Sequence, residues 1–394
     1  MRRFEWPTAL LLLATAGMAV GPRFIVPTLA PEYASAWWEP LQHSLLLLGL
    51  LGNFLLYGRH AGLIPWPALV AVFLLILSPV VTVWAPHELA LGTRMLHALS
   101  AWLVLALPWL AVVPRLQPGS TRYYVGGLVS LALLSALLGL ALHFGTEWRA
   151  WSAWNGTLYR LQGATRADYF AGLAFGGVVV AVHEWSRRRS TVMGIMATVN
   201  AILLIYSGSR TALIVLGAWF ACYLAFSPSL RSRLSPRLVF AIGSVGLASL
   251  LHFPVMRTRM SGLRSGELDL SGREPIWASF FSHFQSRPWL GLGLGSAQPG
   301  VLHSMLPHNE FLRLLVEGGV VGSAMYLGSI LLWTRRVRMR LHEEDRPYLV
   351  ALMIAMPLYS LTDNPISACY IAPFLYLGTL ISRDTTTQVL ATND

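Results

Sequence analysis

Residues 123–143 read YYVGGLVSLALLSALLGLALH, twenty-one positions without one formally charged side chain. A helix needs about 20 apolar residues to cross the hydrocarbon core of a bilayer, and this stretch meets that length. Similar runs recur on either side of it. Reading outward gives candidate spans near 7–26, 40–57, 64–84, 95–113, 123–143, 169–184, 191–207, 211–227, 238–253, 310–333, 348–362 and 366–382. The fold class this predicts is all-α: a polytopic integral membrane protein of about twelve transmembrane helices, forming a single domain over residues 1–394.

Composition points the same way. Of 394 residues, 55% are hydrophobic and 12% charged. A soluble domain usually carries about twice that charge, so this reading excludes a water-soluble enzyme of this length. All 29 basic residues are Arg, against 18 acidic ones, for a net charge of +11. Nucleic-acid binding would need a polar basic face. Here the arginines punctuate apolar runs, so no nucleic-acid partner is expected. Cys222 and Cys369 lie in apolar stretches and read as small buried hydrophobes. Arg2-Arg3 followed by Leu10–Leu13 has the outline of a signal peptide, but with so many later runs a retained first helix is expected.

Arginine placement sets the orientation. With Arg2 and Arg3 in the cytoplasm, the inner loops hold Arg59, Arg115, Arg122, Arg187–Arg189, Arg231, Arg233, Arg237 and the cluster Arg335–Arg346. The short outer loops hold little more than Arg23, Arg94 and Arg210, as the positive-inside rule requires. A membrane protein with both termini cytoplasmic is the expectation. Two outer segments exceed a simple turn. Residues 144–168 are rich in Trp and Arg, and residues 254–309 form a long outer loop between the ninth and tenth spans. Loops of that length in a compact protein are usually functional or disordered. The second is expected to be partly helical and to carry part of the site.

Within it, Ser271-Gly272-Arg273-Glu274 has capping-box spacing, and Ile276, Trp277, Phe280, Phe281 and Phe284 follow at helical intervals. Arg273 in a first turn suits an anion, phosphate above all; a plain capped surface helix fits the same residues. Gly291, Gly293 and Gly295 match no nucleotide-binding motif and read as a flexible turn. His308 stands at the mouth of the tenth span, and histidine is a residue type suited to general-base work near neutral pH, although a lone His is more often structural. Arg210, in Ser207-Gly208-Ser209-Arg210-Thr211, stands at the outer edge of a break between two apolar runs. Glu267 and Asp269 read as a solvated turn. Neither H-E-x-x-H nor a Cys cluster occurs, so no metal or other cofactor is expected.

Two arginines and a histidine at outer helix ends, in Ser209-Arg210-Thr211, Arg273-x-x-Ile276-Trp277 and His308-Asn309-x9-Gly319-x2-Gly322, resemble the bacterial O-antigen ligase family. That family lies within the ligase/polymerase superfamily of integral membrane glycosyltransferases. The R-x10-G spacing of the related polymerases occurs at Arg115…Gly126 and Arg166…Gly177. In a chain with 29 Arg and 34 Gly such matches arise by chance, and the motif decides nothing. The resemblance implies a multi-pass protein of the bacterial inner membrane with its long loop and site on the periplasmic side, transferring O-antigen polysaccharide from undecaprenyl diphosphate to a sugar hydroxyl of lipid A–core, with membrane lipid around it. On that reading Arg210 and Arg273 grip the diphosphate, helped by Arg264, and His308 takes the acceptor's proton. Asn309 and Asp363 join in substrate binding. An O-antigen polymerase or a protein O-oligosaccharyltransferase shares this chemistry. A lipid-linked glycan transporter would instead put its polar groups near the membrane midplane.

Overall fold

A computed structural model describes residues 6–20, 41–53, 64–83, 91–112, 118–146, 148–154, 158–232, 273–298, 301–303, 306–361 and 371–391. The chain opens with helices α1 (Trp6–Ala16), α2 (41–53), α3 (Trp66–Val83), α4 (Leu91–Leu110) and α5 (Pro118–Gly145). Pro118 suits the first helical position, where a missing N–H leaves no bond unmade. The Trp-rich segment then forms an antiparallel hairpin of β1 (Trp151–Trp154) and β2 (Leu158–Leu161), pairing Trp151 with Leu161 and Trp154 with Leu158. The hairpin is moored to α5. The Trp148 indole donates to the Gly163 carbonyl at 2.8 Å, and the Ala164 amide donates to that of Ser135 at 2.8 Å.

Helices α6 (Ala167–Arg188) and α7 (Thr191–Tyr206) follow as antiparallel neighbours. Arg189 at φ 56° ends the first, and the Ser190 hydroxyl caps the second by accepting from the Met193 amide. Next come α8 (Arg210–Phe226), the short α9 (Pro228–Arg231), α10 (Arg273–Ser286), α11 (Glu310–Arg340), α12 (Arg346–Ser360) and α13 (Ala372–Ala391). One hydrophobic cluster runs through the helices from Leu11 to Ile381, with Phe170, Trp219, Trp333 and Tyr348 fully buried in it. A smaller one joins Ile276 and Phe280 of α10 to Leu292, Ala297, Leu312 and Val316. A buried polar set stitches α6, α12 and α13 together. Tyr376 donates to Glu184 at 2.7 Å and bonds His183 Nδ1 at 2.6 Å, while Arg187 pairs with Asp345 at 3.5 Å.

The twelve-span expectation is corrected. Among the described residues two helices are long and apolar enough to cross a membrane, Ser120–Gly145 and Glu310–Arg340. Helices α7 and α8, at 16 and 17 residues, and α12, at 15, fall short of a bilayer's thickness. Hydropathy records only that a segment avoids water, and α6 shows how that misleads: every residue from Phe170 to Ala181 is buried against the protein itself. The multi-pass inner-membrane placement, which rested on the alternation of twelve spans, is corrected with the count. The all-α description also gives way to a mostly helical fold carrying one hairpin. Residues 238–253 and the loop up to Gly272 lie outside the described residues.

Candidate active site

Three of the expected site residues stand at helix N-termini, where unpaired N–H groups and the positive end of the helix dipole favour anions. Arg210 is the first residue of α8, half-buried, in a turn shaped by Gly208 at φ 65°. Ser209 caps the helix, its hydroxyl accepting from the Ala212 amide at 3.4 Å. The same turn is held from the hairpin, since Arg160 Nε donates to the Ser207 carbonyl at 2.8 Å.

Arg273 opens α10 and is also half-buried. Trp277 stands one turn further along the same face, and its indole N–H donates to the Pro307 carbonyl at 2.6 Å. His308 follows directly, at φ 47°. A non-glycine residue takes that conformation at a cost of about 1–2 kcal/mol, so the surrounding packing must impose it. Asn309 then caps α11, its side-chain oxygen accepting from the Leu312 amide at 3.0 Å. The Trp277 bond thus brings the Arg273 helix and the His308 turn to one corner, whereas Arg210 is positioned by a separate set of contacts. Arg264, Ser271 and Asp363 lie outside the described residues.

Sequence reading missed an ionic cluster just inside α11. Arg313 Nη2 lies 3.0 Å from Glu310 Oε1, and its Nε lies 3.5 Å from Glu317 Oε2. All three side chains are buried. The signal was available as Glu-x-x-Arg-x-x-x-Glu, the i,i+3 and i,i+4 spacing that puts opposite charges on one helix face. It lay hidden inside a stretch read as a plain apolar span.

The glycine run is corrected as well. Residues 291–297 are buried, and they form a packed joint rather than a flexible turn. At Gly319 (φ 63°, ψ −170°) helix α11 breaks, which frees backbone groups on both sides. The loop takes them up. Leu292 and Gly293 amides donate to the Val316 and Glu317 carbonyls at 2.8 and 3.0 Å, and Val320 and Val321 amides donate to Pro288 and Trp289 carbonyls at 2.8 and 3.1 Å. The Gly295 amide donates to the Glu317 carboxylate at 3.0 Å. A Cβ on Gly319 would overlap the Trp289 carbonyl, whereas one on Gly322 would meet only the tip of Leu74 at 2.9 Å. The first glycine serves conformation and backbone contact; the second serves close helix packing.

The Trp277–Pro307 bond and the glycine joint thus hold the start of the Arg273 helix and the His308 turn at one corner. Residues 192–327 match the family described as O-antigen ligase. The matched stretch contains Arg210, Arg273, His308, the Arg313 cluster and both glycines of the joint. The match supports assigning the chain to the O-antigen ligase/polymerase superfamily, with a glycosyltransferase-like role at the family level. No curated protein matches the chain.

Proposed function

We propose that the protein is an O-antigen ligase, moving O-antigen polysaccharide from undecaprenyl diphosphate to a sugar hydroxyl of lipid A–core. The observation that carries this reading is the Trp277–Pro307 hydrogen bond, which draws the helix begun by Arg273 against the turn holding His308. In this reading the cation faces the diphosphate leaving group and the base the incoming hydroxyl. The acceptor oxygen attacks the anomeric carbon as the bond from that carbon to the diphosphate oxygen breaks, and the proton passes to His308. Undecaprenyl diphosphate leaves with its charge matched by guanidinium groups of Arg210 and Arg273, assisted by Arg264. Forked guanidinium donors suit phosphate oxygens better than a point charge does. Asn309 and Asp363 contribute to substrate binding. Attack from the face opposite the leaving group inverts the anomeric centre.

The test is transfer by purified protein with defined donor and acceptor, read by product mass. His308→Ala should lose transfer at least about 100-fold, the usual worth of a general base, while keeping its folded state. Near-parental transfer by that variant would refute the base assignment. Arginine supplies the cationic charge in this scheme, so transfer should survive EDTA; reversible loss would assign that charge to a metal. Offering lipid A–core, a lipid-linked repeat unit and a protein acceptor side by side separates ligase, polymerase and protein transferase.

A further inference from the structure

Helix α11 ends in a basic run: Arg335, Arg336, Arg338 and Arg340, with Arg346 opening α12. Arg335, Arg338, Met339 and Arg346 line a cavity of about 340 Å³. Positions 331, 332, 335, 338 and 339 share one helix face by i,i+3 and i,i+4 spacing. On that face Leu331 is 72% exposed, Leu332 61% and Met339 66%. A face that passes from bare leucines to arginines has the profile of a lipid: acyl chain above, phosphate below. Exposed apolar side chains in such a row mark an interaction surface.

The far wall is fixed. Arg346 Nε donates to the Arg338 and Leu341 carbonyls at 3.2 and 3.3 Å, and its Nη1 lies 3.2 Å from Glu343. The acidic neighbours are largely spoken for: Asp345 lies against His183 and Arg187, and Glu344 is 4.0 Å from Arg187. Arg336 sits over the Trp66 ring at 5.4 Å, which puts an aromatic side chain at the same end of the helix. Such aromatic residues favour the boundary between apolar and polar phases.

We infer that Arg335 and Arg338, with Arg346 as the back wall, form a binding site for the phosphate of an anionic phospholipid headgroup, whose glycerol and first acyl carbons lie along Met339, Leu332 and Leu331. The site is separate from the Arg273–His308 corner and does not depend on the proposed transfer reaction.

The experiment titrates detergent-purified full-length protein with a short-chain phosphatidylglycerol, a short-chain phosphatidylcholine and inorganic phosphate. Saturable binding of the anionic lipid is expected, weakening as salt screens the charges. Each arginine near an anionic headgroup contributes about fivefold, so Arg335→Gln/Arg338→Gln should weaken binding about 25-fold without altering glycan transfer. Arg335→Lys/Arg338→Lys, which keeps charge and loses the forked geometry, should weaken it several-fold and serves if the glutamine variant misfolds. Parental affinity in the variant studied would overturn the inference. So would equal binding of phosphatidylcholine, which would mean a generic detergent-like surface. Inorganic phosphate binding as tightly as the lipid would overturn the lipid assignment in favour of a free-anion site.

Discussion

Replacing Arg313 by Met is the most exacting perturbation of this fold. The Arg313 side chain is 3% exposed, and its partners Glu310 and Glu317 are 2% and 0% exposed at 3.0 and 3.5 Å. With charge centres about 4 Å apart, each pair is worth up to about 4 kcal/mol at an effective dielectric constant near 20. Much of that only offsets the cost of bringing the charges out of water. Removing the cation leaves two carboxylates buried without it, and breaking a buried pair in this way typically costs 3–5 kcal/mol. Arg313→Met should therefore lose about 3–5 kcal/mol in equilibrium denaturation. The compensated variant, Arg313→Met with Glu310→Gln and Glu317→Gln, removes all three charges. It keeps a side-chain oxygen for the Gly295 amide, and it should recover most of the loss. A single variant within about 1 kcal/mol of the parent would refute the reasoning, as would a compensated variant no more stable than the single one.

The joint makes an ordered pair of predictions: Gly319→Ala should cost about 2 kcal/mol or more, because its backbone is left-handed and a carbonyl blocks the Cβ, whereas Gly322→Ala should cost about 1 kcal/mol as the Leu74 tip shifts. Chemical denaturation of the two variants checks the order. Trp277→Phe keeps an aromatic side chain, though a smaller one, and deletes the donor to Pro307, so it should lose at least about 0.5–1.5 kcal/mol of stability; under the proposed function it also slows transfer several-fold, read as a fall in kcat. His308→Gly should be inactive yet within about 1 kcal/mol of the parent, because relief of the φ 47° conformation offsets the freer unfolded chain.

Much of the local structure was legible in the sequence. The helix from Arg273 and the turn before Arg210 both follow from residue types with strong local preferences. What the sequence hid was tertiary. The glycines of 291–295 signal only backbone freedom, and whether that freedom serves a loose turn or a tight joint depends on what packs against them. Here it is the break at Gly319, 24 residues beyond Gly295. The apolar runs signal only avoidance of water, and Phe170–Ala181 meets that need inside the protein. The hairpin at 151–161 failed to register because its strands are four residues each and rich in Trp, which suits several structures.

The joint and the ionic cluster act as one device. An unbroken α11 would satisfy its own backbone and leave the Leu292 and Gly293 amides and the Pro288 and Trp289 carbonyls without the partners they have here. Breaking it at Gly319 opens carbonyls at Val316 and Glu317, and the loop that leaves α10 fills them. Glu317 then serves three groups at once: its carbonyl holds Gly293, its carboxylate holds the Gly295 amide, and that carboxylate also faces Arg313. The spacing between the helix that starts at Arg273 and the turn at His308 is consequently set by backbone bonds and a buried charge cluster, with Trp277 closing the far side. A site built on backbone spacing should resist surface substitution and weaken when Gly319, Arg313 or Trp277 is changed, although of these three only the Trp277 indole bonds directly to the residue beside His308.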